Sequence, residues 1–291
     1  MVKKSKSCTG GSAANTIYGL AKLGVNTGFI GVVGNDAESK LLLKDFQKIG
    51  VDTSQIKIKH KAQTGATFCL IDEEGKRSIY VSPGANNLLS TDDFSLDYVN
   101  KADLLHISSF VNNRQFKVLI GLIKQLTSPV KLSFSPGALY AARGIKALTP
   151  VLRKTSVLFI NDKEMRELTA QEFLSGTETC LKLGCHIVVV TLGKGVRCKN
   201  IMATAYIRDA DNEYIIEPTN ERVATTDTTG AGDAFTAGFL YGLLRKRGLK
   251  ECGHLGNIVA QFCITGVGAR ESLPTFTQLA ERYRELYSGQ L

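Results

Sequence analysis

Short apolar runs alternate with longer amphipathic stretches along most of the chain. Phe29 to Val33 reads as a strand, Asp36 stands where a helix N-cap belongs, and Ala37 to Ile49 predicts a helix closed by Gly50. The same strand character returns in Leu104 to Ile107, Val130 to Phe134, Val157 to Ile160 and Ile187 to Val190. Helical stretches separate them, notably Arg114 to Leu126. This order predicts an α/β class with a mainly parallel sheet, helices on both faces and right-handed crossovers.

Two segments interrupt it. Gln55 to Lys59 alternates apolar and polar residues, the period of a strand with one polar face. Thr64 to Ile71 and Lys76 to Ser82 are rich in β-formers and flank Asp72-Glu-Glu-Gly75, a hairpin loop. Residues 54–84 therefore read as a small β excursion from a core made of 1–53 and 85–291. An edge hairpin and a lid over a ligand cleft account for it equally well. Further on, Ala203 to Arg208 and Glu213 to Ile216 form a second β group, joined by Asp209-Ala-Asp211-Asn212. That loop resembles half a calcium loop but lacks its glycine and its closing Glu, so calcium is not expected. A long apolar helix, Ala234 to Arg247, follows the glycine-rich run at 230–232.

Composition narrows the class. Hydrophobic residues make 43% and charged residues 22% of 291, ordinary for a soluble globular enzyme. No apolar run is long enough for a transmembrane helix, and no apolar segment follows the basic start, so neither a membrane nor secretion is expected. The seven cysteines form no C-x-x-C pair, which fits reduced thiols in a cytoplasm better than disulfides or a zinc site. The net charge is +9, yet 36 basic residues are mixed with 27 acidic ones and only the first six residues are locally basic. A surface attractive to small anions is the expectation, with no nucleic-acid partner.

Four short motifs carry candidate chemistry. In Asp227-Thr-Thr-Gly-Ala-Gly-Asp233, the small residues Gly230, Ala231 and Gly232 open a helix, so their N–H groups make an anion site. Asp233 in that first turn complements the helix dipole, but beside an anion its charge also suits a general base. Asn161-Asp-Lys-Glu164, directly after a strand, reads first as a capping box. Gly10-Gly-Ser-Ala-Ala-Asn15 opens a helix whose apolar face holds Ile17, Leu20 and Ala21. Capping by Ser12 or Asn15 is the plain reading, with Asn15 off the buried face. Thr191-Leu-Gly-Lys-Gly195 reads as a hairpin turn after Ile187 to Val190.

Taken together, from Gly10 to about Pro274, these motifs resemble the ribokinase-like (PfkB) kinases, in form nearest the adenosine-kinase-like branch. The resemblance implies a three-layer α/β/α fold with a mainly parallel central sheet and a small β lid. It implies ATP-dependent phosphorylation of a sugar or nucleoside hydroxymethyl group, with Asp233 as base and the Gly230, Ala231, Gly232 and Asp233 amides as anion hole. Gly10, Gly11, Ser12 and Asn15 would meet substrate. Asn161, Thr191, Gly193, Gly195 and Asn257 would meet the nucleotide, with Lys194 a weaker candidate. Glu164 would organise Mg²⁺ indirectly, and Asp227, Thr229 and Gly268 in the Gly266–Ala269 turn would hold a monovalent cation such as K⁺. Lid strands of relatives often pair across a homodimer. Family chains begin with a further strand and lid segment, bearing a sugar-binding Asp, before the paired glycines. Here nine residues precede Gly10, so a central strand and part of the lid are expected to be absent. Ser135-Pro136-Gly137 stands where many members have Asp-Pro-Asn. The alternatives are a truncated, non-catalytic nucleotide-binding homologue and, more remotely, a dinucleotide oxidoreductase, which lacks its G-x-G-x-x-G.

Overall fold

The computed structural model describes residues 7–71, 77–127, 129–219, 223–287, 289 and 291. The expected hairpin loop at 72–75 and the basic first six residues lie outside the described residues. In chain order the elements begin with α1 (Ser12–Lys22), β1 (Gly31–Gly34), α2 (Ala37–Lys48), β2 (Ile56–Lys59), β3 (Ala66–Ile71) and β4 (Arg77–Ser82). The middle of the chain holds α3 (Leu96–Asn100), β5 (Leu104–Ser108), α4 (Asn113–Gln125), β6 (Lys131–Ser135), α5 (Gly137–Ala141), α6 (Gly144–Leu152), β7 (Thr155–Asn161), α7 (Asp162–Thr169) and α8 (Phe173–Lys182). The rest is β8 (Ile187–Cys198), β9 (Ile201–Arg208), β10 (Glu213–Ile216), α9 (Ala231–Leu244), α10 (Leu249–Cys263) and α11 (Phe276–Tyr287).

A six-stranded sheet runs β10-β9-β8-β7-β6-β5. Its neighbours from β5 to β8 are parallel, and β9 and β10 are added antiparallel. Side chains alternate between the two faces of each strand. Leu158, Ile160, Val188 and Val190 enter one core with Leu119 of α4, Leu148 of α6 and Met165 of α7. Val157, Phe159 and Val189 enter the other, with Leu20 of α1, Phe239 of α9, Leu255 of α10 and Leu279 of α11. That is the α/β/α sandwich the alternating pattern implied.

Three details differ from the sequence reading. The strand at Phe29 to Val33 is not part of the main sheet: β1 pairs in parallel with β2 as a separate two-stranded sheet. Ile56–Lys59 thus stands off the main sheet, as expected, but pairs with β1 rather than with the antiparallel pair β3–β4. Second, Thr191 to Gly195 is not the turn. β8 continues to Cys198 across an irregularity between Thr191 and Val196. The turn comes at Lys199 and Asn200, with φ of 47° and 66°, the positive pair that matches the twist of a tight hairpin. Third, the long apolar helix after the glycine-rich run, α9, spans Ala231–Leu244 rather than Ala234 to Arg247.

The β3–β4 hairpin is anchored at its base and bare above. Asp36 caps α2 by accepting from Ser39 N–H (2.8 Å) and also accepts from Thr64 N–H and Oγ1 (both 2.6 Å). Burial works to raise the Asp36 carboxyl, but these bonds outweigh it and hold it at about 2. Ala85 N–H closes the base from the other side by donating to Gln63 O at 2.8 Å. Above it, Phe68 and Tyr80 face each other across the pair at 62% and 61% exposure, so the hairpin carries apolar surface that the described residues leave open.

Candidate active site

Two helix starts meet beside the sheet. Gly230 precedes α9 at φ 78°, and a Cβ there would lie 2.3 Å from Cβ of Ala269, so only glycine fits. At Gly232 the reverse holds: a Cβ would meet nothing within 4 Å, and the backbone faces open space. Ala231 N–H donates back to Thr228 O at 3.3 Å, and the next bond from α9 into the turn is Ala234 N–H to Gly230 O at 2.8 Å. The Gly232 and Asp233 amides therefore precede the helical ladder and lie free to meet an anion.

Asp233 sits in this turn, held from α1. Ser12 Oγ donates to its Oδ1 and Asn15 Nδ2 to its Oδ2, each at 2.8 Å, and Thr16 Oγ1 donates to its main-chain oxygen at 3.3 Å. Neither Ser12 nor Asn15 caps α1, and Asn15 is not on an open face; it is 6% exposed and turned toward α9. Burial pushes the Asp233 carboxyl up to about 6, against the opposing pull of the Asn15 and Ser12 bonds and the Arg270 charge. A carboxylate poised near neutrality, with both oxygens oriented, can take a proton from a hydroxyl.

Asn161 and Glu164 form the capping box the spacing predicted, where β7 passes into α7. Glu164 N–H donates to Asn161 Oδ1 at 2.8 Å and Asn161 N–H to Glu164 Oε2 at 3.1 Å. Burial raises the Glu164 carboxyl, and the negative charges of Glu167 and Asp233 add to the rise, so the two motif carboxyls sense each other. Thr191 is the register partner of Asn161, which puts the Gly193 and Gly195 irregularity of β8 beside that cap. Lys194 is exposed.

Asp227 ties the loop before α9 to the turn after α10. Its Oδ1 accepts from Thr229 N–H (2.9 Å) and Oγ1 (2.8 Å), and its Oδ2 accepts from Gly268 N–H at 2.9 Å. Among the described residues no group of three or more His, Cys, Asp or Glu is placed to hold a metal. A divalent ion would depend on one or two carboxylates together with phosphate oxygens, the usual manner for Mg²⁺. Asn257 stands apart: its Nδ2 donates to Thr204 Oγ1 at 2.8 Å and to Glu217 O at 3.2 Å, so its amide is engaged by protein.

Arg270 is the participant that motif reading missed. It is 6% exposed and donates to Asn15 Oδ1 and to the carbonyl of Gly10. No periodicity marks it; only its position directly after Gly266–Ala269 could have drawn attention to it.

The model of the pfkB family carbohydrate kinase matches residues 2–276. The chain belongs to this family. An uncharacterized sugar kinase of Archaeoglobus fulgidus is 38% identical over 256 residues, covering 88% of this chain and 98% of its own. Adenosine kinase from Sinorhizobium meliloti shares the fold at TM-score 0.83 and 24% identity, over 97% of this chain and 84% of that one. Arabidopsis thaliana ribokinase complexed with ribose and ATP aligns at TM-score 0.78 and 25% identity, over 96% of this chain and 88% of that one. As a pfkB member, the chain has the mixed, mostly parallel sheet of the ribokinase fold, and the two helix starts at Ser12 and Ala231 lie at adjoining positions in it.

Proposed function

We propose that the chain is an ATP-dependent kinase that transfers the γ-phosphate to a hydroxymethyl group of a sugar or nucleoside. One observation carries the reading: a carboxylate raised toward neutrality, Asp233, lies in the same helix turn as the unladdered, unobstructed amide of Gly232. Asp233 takes the acceptor's proton as its oxygen bonds to the γ-phosphorus. The bond from that phosphorus to the β–γ bridging oxygen breaks, and ADP leaves. The free amides of Gly232 and Asp233, in the turn that Gly230 shapes, hold the equatorial oxygens as charge spreads over them, while Ala231 N–H is taken by Thr228 O. Ser12 and Asn15 keep the carboxylate aimed, and Gly10 and Gly11 let the acceptor approach the backbone.

Asn161, Thr191, Gly193 and Gly195 would line the nucleotide side, with Asn257 shaping it through Thr204. Mg²⁺ bound with ATP would neutralise the phosphate oxygens, and Glu164 would hold it indirectly. Asp227, Thr229 and the Gly268 backbone would hold a monovalent cation such as K⁺. The β3–β4 hairpin would close over the acceptor or pair with that of a second copy, which equilibrium sedimentation distinguishes. No helix among the described residues is long and apolar enough to cross a membrane. All seven cysteines are free, which supports a reducing, cytoplasmic setting.

The test is ADP release from ATP in the presence of a panel of sugars and nucleosides. Asp233→Asn should lower kcat on the accepted compound by about 10²–10⁴-fold, the usual worth of a general base. ATP binding by calorimetry should persist. Binding of ATP with no ADP release on any acceptor would instead identify a non-catalytic nucleotide-binding homologue.

A further inference from the structure

Arg270 is buried, and its donors are spread over three partners. Nε donates to Asn15 Oδ1 at 2.9 Å, Nη1 to Asp45 Oδ2 at 2.8 Å and Nη2 to Gly10 O at 3.0 Å. The guanidinium lies over the rings of Tyr18 and Phe46, 5.1 and 5.2 Å from their centroids. Thr9 Oγ1 also donates to Asp45 Oδ2, at 2.6 Å. A buried ion pair seldom stabilises a fold more than apolar residues of the same volume would. Its presence here therefore asks for a role beyond packing.

The chemistry of the amide supplies one. An asparagine side chain can be seated either way round, but a guanidinium only donates and a carboxylate only accepts. Between Arg270 and Asp233, Asn15 has one acceptable seating: Oδ1 toward Arg270 and Nδ2 toward Asp233 Oδ2. Reversal would set oxygen against carboxylate and NH₂ against guanidinium. We propose that Arg270 is a positioning residue for the transfer reaction, fixing the Asn15 amide and through it the aim of the Asp233 carboxylate. Asp45, itself bonded to Thr9, fixes Arg270 in turn. This rests on Asp233 being the base.

A double-mutant cycle between Arg270→Lys and Asn15→Ala tests it. Lysine keeps the charge beside Asp45 but lacks the fork that reaches Asn15 and Asp45 together. In the wild-type background Arg270→Lys should lower kcat at least about tenfold with KM for ATP unchanged, the cost of a misaimed group. In the Asn15→Ala background the same change should alter kcat less than about twofold, because the partner is already gone. Equal losses in both backgrounds would mean a purely structural role and overturn the proposal. Should Arg270→Lys fail to fold, the neutral pair Arg270→Gln with Asp45→Asn replaces it. A second readout needs no turnover: the Asn15 side-chain amide resonances, assigned by their loss in Asn15→Ala. Their proton exchange should quicken at least tenfold in Arg270→Lys, and an unchanged rate would overturn the proposal. Wild-type protein inactive on every acceptor would sink the kinase reading instead, while the amide measurement would still decide the positioning.

Discussion

Asp233 titrates where an acidic residue in water would not. Burial has moved its carboxyl from an ordinary 3.8 to about 6, and a base works only when deprotonated. Hence kcat/KM for the acceptor should fall about tenfold per pH unit below 6 and level off above 7; a flat profile from pH 5 to 8 would remove Asp233 from that role. The same shift has a stability side. A raised folded pKa contributes stability in full below about 4, and the contribution is lost as pH rises through about 6. The charge proposed to activate the acceptor therefore works against the fold. The glycines of the turn separate in the same way. Gly230→Ala puts a Cβ 2.3 Å from that of Ala269 at φ 78°, and should cost about 1–3 kcal/mol in chemical denaturation. Gly232→Ala meets nothing within 4 Å and should leave the fold intact. It should nonetheless lower kcat/KM for ATP about tenfold, a loss of ~1.4 kcal/mol, because its methyl would enter the proposed anion site. Asp233 and the Asn161–Glu164 cap were legible in the sequence because helix starts are written within four residues. Arg270 was not, since its partner Asn15 is 255 residues away and no local pattern joins them.

Elements were legible to the extent that their burial was two-sided. The runs at 157–160 and 187–190 read as strands because both faces are covered, and both lie in the centre of the sheet. The continuation of β8 was hidden by Gly193 and Gly195, whose positive φ angles bend a strand as readily as they end one. The pairing of β1 with β2 was hidden because a parallel partner leaves no turn between the strands to mark it. One helix end is suboptimal in a measurable way. Ala170 closes α7 in the left-handed conformation, φ 57° and ψ 26°, with its N–H on Arg166 O at 2.8 Å, and its side chain is exposed. Glycine takes that conformation freely, so Ala170→Gly should stabilise the protein by about 1 kcal/mol. A melting temperature unchanged or lowered would contradict that account of the cap.

At the scale of the whole molecule, α/β class and the two-faced core followed from the alternation of runs. The division into a six-stranded and a two-stranded sheet did not, because register and neighbour choice are settled by tertiary packing. Nor did the hairpin's anchoring, which depends on Asp36 bonding to Thr64 across 28 residues. The clasp of Ser12 and Asn15 on Asp233, with Arg270 behind it, spans sequence separations of 218 to 255 residues. Contacts that distant in the chain pay their loop-closure entropy before they return anything, and so form slowly. Refolding should therefore run in two stages. Tyrosine fluorescence from the cores, the only intrinsic probe in a chain with nine tyrosines and no tryptophan, should recover first, and ADP-releasing activity should follow more slowly. During synthesis the consequence is sharper: until the segment around Arg270 has left the ribosome, Ser12 and Asn15 can already reach Asp233, but the Asn15 amide has no guanidinium to fix which way round it sits.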